Sequence, residues 1–117
     1  MSYVDSMVIP VPKKNLAAYR RLAGRMGKVW REHGALEYTE YLADDVKSGK
    51  HTSFPQAVKL KPGEVVVLAR IVYKSRAQRD SVFKKVMADP RTRMDPKQFP
   101  FDGRRMFWGG FKPMISL

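Results

Sequence analysis

Cysteine is absent from the 117 residues, which excludes disulfides, iron–sulfur clusters, thiolate zinc sites and cysteine nucleophiles. Histidine is nearly absent: His33 and His51 stand alone, without the paired spacing of a metal site, so no metal and no cofactor are expected. Long apolar runs are missing too. The strongest, Val65 to Ala69, falls far short of the roughly 20 residues that cross a bilayer. Residues Met1 to Asp5 lack the basic and apolar regions of a secretory signal, so a cytoplasmic protein with no membrane partner is expected. Acidic residues are scarce, 11 against 23 Lys and Arg, for a formal net charge of +12. Apolar residues still make up 44% of the chain, which supports a core and excludes a disordered basic tail. The length suits one domain, residues 1–117.

Tyr3 to Val11 is rich in Val, Ile, Met and Tyr and reads as a strand. From Pro12 to His33 the period is helical. At about 100° per residue, Leu16, Tyr19, Leu22, Ala23, Met26, Val29 and Trp30 share one arc. Lys13, Lys14, Arg20, Arg21, Arg25, Lys28 and Arg31 share the opposite arc, and Gly34 supplies a stop. Gly24 and Gly27 weaken this helix and point to close approach of the sheet. Leu36 to Ala43 alternates as a second strand, and Ser53 starts a short helical turn in the 44–63 connection. Glu64 to Tyr73 is apolar at nearly every position, a central strand. Ser75 and Gln78 have capping-box spacing before a helix over Arg76 to Ala88, which Asp89-Pro90 ends. Arg104 to Met114 reads as the fourth strand, with Gly109-Gly110 as a bulge or a point of close approach.

The order β-α-β-β-α-β is that of an α+β, ferredoxin-like fold: a four-stranded antiparallel sheet with two helices on one face. The other face should then be polar. It is not. The third strand carries Val66, Leu68 and Val72 on one parity and Val65, Val67, Ala69, Ile71 and Tyr73 on the other. The fourth sets Phe107 and Phe111 against Met106 and Trp108. A homodimer whose sheets pack face to face, a dimeric α/β barrel, is the expected solution. The alternative is that the 44–63 and 89–103 segments fold over the open face.

Several blocks resemble one known family. Tyr3-Val-Asp5, Asp44-Asp-Val46, Gly49-Lys50, Thr52, Phe54 and Ala57-Val58 look like the bacterial YbaA-like family. So do Tyr73-Lys-Ser75, Arg79-Asp80, Met87-Ala-Asp-Pro-Arg91, Pro100-Phe-Asp-Gly103, Arg105-Met106 and Gly109-Gly-Phe111. The similarity spans almost the whole chain and implies the dimeric α/β-barrel fold. It implies no established activity. The chain departs from the family near Arg70, where the family has a tryptophan.

Arg79 is the most informative single residue, because it sits in the middle of the arc made by Val82, Phe83, Val86 and Met87. A buried guanidinium needs a partner, and Asp5 and Glu40 on the strands are the candidates. Two readings stay open, a clamp fixing helix to sheet and a ligand anchor. Trp30, Tyr41, Trp108, Phe107 and Phe111, with Arg70 and Arg79, are candidates to line a cleft between sheet and helices. Such a cleft suits a small anionic or aromatic ligand. No nucleophile elbow, Gly-x-Gly-x-x-Gly or P-loop is present, and enzymatic activity is left open. The rival reading is a basic protein associating with RNA or other nucleic acid by electrostatics. Arg104 to Phe111 interleaves basic and aromatic residues, but the third strand lacks the RNA-recognition signature.

Overall fold

Strands Tyr3–Pro12 (β1) and Glu64–Tyr73 (β3) pair antiparallel along their whole length, from Tyr3 opposite Tyr73 to Pro12 opposite Glu64. They are the two central strands of the computed structural model, which describes residues 2–117. Glu37–Leu42 (β2) pairs with the outer side of β3, and Phe107–Phe111 (β4) with the outer side of β1, giving the order β2-β3-β1-β4. This is the ferredoxin-like α+β arrangement expected from the order of elements. Pro10 is tolerated in a central strand because β4 pairs only with Val4 to Val8, so the missing N–H faces no partner.

Helices Leu16–Glu32 (α1) and Arg76–Ala88 (α3) cover one face. Tyr3, Ile71 and Tyr73 of the sheet meet Val29 of α1 and Val82 and Val86 of α3 in one buried cluster. Tyr19 meets Ile9, Val11, Val67 and Ala69 in a second. The α1 arc therefore faces the sheet as its period requires. Gly27 allows this: a β-carbon there would lie 2.7 Å from the Tyr38 ring. Gly24 differs from expectation, since nothing lies within 4 Å of where its β-carbon would be. Ser75 caps α3 by accepting from the Gln78 amide at 3.1 Å, and Gly34 ends α1 with φ +117°.

Several boundaries differ from the sequence reading: β2 is one residue shorter at each end, and β4 stops at Phe111 rather than Met114. Pro12 closes β1, and Lys13–Asn15 makes a 3-10 turn before α1. β4 begins at Phe107, because Arg104 and Arg105 are held in a turn by Asp102. The register of β4 on β1 is continuous, so Gly109-Gly110 is no bulge. Gly110 is instead a point of close approach: a β-carbon would sit on the Tyr3 hydroxyl and 2.6 Å from Arg79 Nη2.

The connections divide between the faces. Phe54–Ala57 (α2), capped by Ser53, brings Val58 onto Val8 and Val66 and covers one corner of the face opposite α1 and α3. The 89–103 connection goes the other way. Phe101 packs edge-on against Tyr19, with centroids 5.6 Å apart, so this segment fills the helix side and leaves the open face bare.

A buried ion pair ties these connections to the sheet. Arg105 donates to both Glu64 carboxylate oxygens at 2.7 and 2.6 Å, to Asp102 at 3.1 Å and to the Lys59 carbonyl at 3.1 Å. The guanidinium beside Glu64 holds its carboxyl below the usual range. Removing one member of a buried pair strands the other charge. Arg105→Ala is therefore expected to lose about 3 kcal/mol of stability in urea titrations at neutral pH. The deficit should shrink as pH falls through the Glu64 titration, because the wild type then loses the same pair.

Candidate functional site

Between α1 and the sheet lies a cavity of about 190 Å³. Its walls are apolar: Ile9, Leu22, Ile71, Trp30, Phe99, Phe101 and four methionines, Met7, Met26, Met87 and Met106. Methionine fills irregular space with an unbranched, polarizable chain, and so makes a wall that adapts to shape. The connection after α3 supplies Thr92, Phe99, Phe101 and Met106 and closes the side that the sheet leaves open.

The polar end of the cavity is Glu40, on β2. Its carboxylate accepts from the Tyr19 hydroxyl through Oε1 and from the Tyr38 hydroxyl, at 2.7 Å, through Oε2. Two phenols thus stabilise one carboxylate at the wall. Burial and the neighbouring Glu40 charge push both tyrosines well above the usual phenol range, so they remain donors.

A second network lies beside the first. Asp5 is 4% exposed on β1 and accepts from the Tyr73 hydroxyl at 2.8 Å. That hydroxyl accepts in turn from Trp30 Nε1 at 3.0 Å. Arg79 donates to the Tyr3 hydroxyl at 3.0 Å and stands over the Tyr3 ring. Its Nε lies 3.7 Å from Asp5 Oδ1, near enough for charge compensation and too far for a hydrogen bond. Neither of these two buried atoms has a hydrogen-bond partner among the described residues. Burial pushes the Asp5 carboxyl up, against the lowering effects of the Tyr73 hydroxyl and the Arg79 charge.

The structure divides the residues singled out from the sequence. Trp30 and Glu40 line the cavity; Asp5 and Arg79 form the adjoining network. Of the two candidate partners for Arg79, Asp5 meets it and Glu40 is taken by tyrosines. Trp108 lies on the helix side at the β4 edge, stacked on Phe83 and 52% exposed. Tyr41 and Arg70 do not join them. Their register, opposite Leu68 and Thr39, puts them on the open face, where Arg70 pairs with Glu37 at 3.9 Å. Phe107 and Phe111 share that face, opposite Val8 and Val4. His33 meets Asp89 at 2.9 Å, fastening the end of α1 to the end of α3, and no group of potential metal ligands occurs among the described residues. A wider furrow of about 670 Å³ runs outside the cavity, between α1 and β2, bordered by Lys28 and Arg31. It is an open surface channel whose rim carries both signs of charge, Glu32 and Glu37 as well as Lys28 and Arg31.

With this geometry in view, comparison with known proteins places the chain. Residues 2–103 match a family described as a protein of unknown function, DUF1428. The chain belongs to that family. It is 43% identical over 116 residues to the uncharacterized protein YbaA of Escherichia coli strain K12, covering 99% of both chains. The same figures hold for the uncharacterized YbaA of Shigella flexneri. The YbaA-like resemblance read from the residues therefore holds. Among solved structures, Rv0793 of Mycobacterium tuberculosis is similar with a TM-score of 0.54 at 16% identity, covering 99% of this chain and 98% of that one. A dimeric ferredoxin-like protein from an uncultured marine organism is similar with a TM-score of 0.59 at 8% identity over the full length of both chains. These two likenesses concern the fold alone.

Sequence reasoning missed the hydroxyl partners in this DUF1428 chain. Tyr38 and Glu40 share one parity of β2 with Leu42, and this was the available signal that they face the helices together. The pairing of Tyr73 with Asp5 had no signal in spacing, since 68 residues separate them. Asp5 offers a direct test. An acid raised by burial binds its proton more tightly when folded, so it subtracts stability as pH rises from the ordinary Asp range to its raised value. The Asp5→Asn variant keeps an acceptor for Tyr73 and removes that titration. Its unfolding free energy relative to wild type is expected to improve with pH across that interval and level off beyond it. Chemical denaturation at several pH values measures this.

Proposed function

We propose that this protein is a homodimer that binds a small one-ring molecule in the cavity between α1 and the sheet. The observation that carries the reading is the apolar, methionine-rich cavity ending in a carboxylate held by two tyrosine hydroxyls. Its volume suits one aromatic ring with small substituents, since an engineered cavity of about 150 Å³ in another protein holds benzene. Glu40 is the charged group in the wall, and each of its oxygens has a lone pair to spare beyond its tyrosine. Arg79 is occupied outside the wall and Arg70 lies across the sheet. The favoured ligand is therefore aromatic and bears a hydrogen-bond donor or a positive charge, rather than an anion.

The dimer rests on the open sheet face. Tyr41, Leu68, Phe107 and Phe111 spread exposed apolar surface over β2, β3, β1's neighbour β4 and the ground between them, with Phe111 60% exposed. Patches of this breadth are rare on monomers. A second copy supplies a matching apolar face with the same strand twist, and the similar marine protein is described as dimeric. The Arg104 to Phe111 segment offers less to RNA than its sequence implied, because Arg105 is buried with Glu64 and only Arg104 stays exposed.

A calorimetric panel of phenol, benzylamine and benzoate tests the cavity. Phenol or benzylamine is expected to bind at least tenfold tighter than benzoate, and Glu40→Gln to erase that preference. Ala23→Phe, which fills the cavity, should abolish binding. Preferential binding of benzoate, or binding that survives Ala23→Phe, would sink the assignment. Light scattering tests the assembly: a dimer at micromolar concentration is expected for wild type, and a monomer for Leu68→Glu with Phe111→Glu.

A further inference from the structure

The outer surface of α1 and of the 3-10 turn that leads into it carries cations that the fold does not use. Lys13, Lys14, Arg20, Arg21, Arg25 and Lys28 are all exposed, and none lies within 4.0 Å of a carboxylate among the described residues. By contrast Arg31, at the end of the helix, donates to the Ala35 and Leu36 carbonyls. The placement works against the helix. Lys13 and Lys14 stand at its N-terminal end, where the macrodipole favours acids, and no acidic residue occupies the first turn. Arg21 and Arg25 are like charges at i,i+4. A surface built only for solubility has no need of either arrangement.

The layout is also ordered. At about 100° per residue Arg21 and Arg25 form one flank, with the Arg91-bound Glu32 between them, and Arg20 lies on the other, with Ala17, Gly24 and Lys28 along the crest. Gly24 weakens the helix and meets no neighbour, so the sheet does not require it. What it provides is a low crest between basic flanks.

We propose that α1 is a docking surface for double-stranded DNA, seated in the major groove with its basic flanks on the phosphates of the two walls. Charge complementarity selects a polyanion, and the shape of the face narrows the choice. Single strands are held by stacking on aromatics, and this face has none. Insertion into a membrane interface needs an apolar helix face, and that of α1 is committed to the core, which leaves a lipid surface only the electrostatic attraction of the basic residues. The B-form major groove, about 12 Å wide, admits a helix, whereas the A-form RNA groove is deep and narrow. The crest and flanks carry Ala, Gly, Lys and Arg with one acid, Glu32, which Arg91 engages, so recognition is of backbone and not of sequence. The inference is independent of the cavity, which lies on the other side of α1.

Fluorescence anisotropy with a 20-base-pair DNA duplex of arbitrary sequence tests it. Binding is expected at 50 mM salt, weakening toward 200 mM with a log–log slope of magnitude about three to five, as six cations or fewer would give. Lys14→Glu with Arg21→Glu and Arg25→Glu should cost at least thirtyfold in affinity. Lys74→Glu with Lys84→Glu and Lys85→Glu, which changes net charge equally, should cost less than threefold. Circular dichroism confirms that both variants fold. Equal losses from the two triple variants overturn the proposal, since net charge alone would then explain binding. So do an RNA duplex bound as tightly as DNA, capture by phosphatidylserine vesicles without DNA binding, and no binding at 50 mM salt.

Discussion

A carboxylate sealed inside a small sheet protein has to be satisfied by whatever packs over it, and Asp5 draws on three elements at once. It sits on the central strand β1 and takes a hydroxyl from β3 through Tyr73. It faces the guanidinium of α3 through Arg79 and reaches α1 through the Trp30 indole that donates to the same Tyr73. Both long helices are thereby referenced to one point on the sheet. The fourth strand is brought into the same arrangement by Gly110, whose missing side chain leaves room for Tyr3 and Arg79. Hydrophobic burial drives the layers together but is indifferent to how a helix slides along a sheet. Directional bonds to a buried charge are not, and they set where α1 and α3 lie.

That placement explains the cavity. Trp30 is drawn to Tyr73 and Tyr38 packs where Gly27 lets it, so the aromatic ends of α1 and β2 are fixed around the space between them. The floor is strand, the roof is helix, and the remaining side is the 89–106 connection with Phe99, Phe101 and Met106. A site closed by a connection can differ between relatives in shape while the sheet and its Asp5 node stay as they are.

How much of this could be read from residues alone follows from the range of each interaction. The α1 arc, the Ser75–Gln78 cap and the doubly apolar β3 are local patterns, and each reappears in the structure. The wrongly long fourth strand is also instructive. Arg104 to Phe111 alternates like a strand, yet Asp102 turns the chain and Arg105 is pulled to Glu64, 41 residues away in sequence. No periodicity encodes such a pair. The same holds for Asp5 with Tyr73 and for Glu40 with Tyr19. Candidate residues were found where burial conflicted with charge, as at Arg79. They were missed where a neutral tyrosine carried the bond. Arg70 and Tyr41 were grouped with the cleft because composition cannot say which side of a strand faces the helices, and a shift of one residue exchanges the faces.

The charge imbalance takes on a structure of its own once the ion pairs are placed. Asp5, Glu64, Asp89 and Asp102 are engaged by arginines, lysine amides or histidine at the joints between elements. Glu32 is held by the same Arg91 that holds Asp89, and Glu40 is enclosed by tyrosines. Few acids are left to balance the outer surface: Glu32, on α1 itself, is turned to Arg91, and no carboxylate lies within 4.0 Å of Arg20, Arg21, Arg25 or Lys28 among the described residues. The net charge of +12 is therefore not spread evenly. Most of the buried and half-buried acids hold joints of the fold together, which leaves α1 with a predominantly positive field along one side. Screening confines that field to roughly 8 Å at physiological salt, so it acts on whatever comes into contact with the helix and hardly on anything beyond.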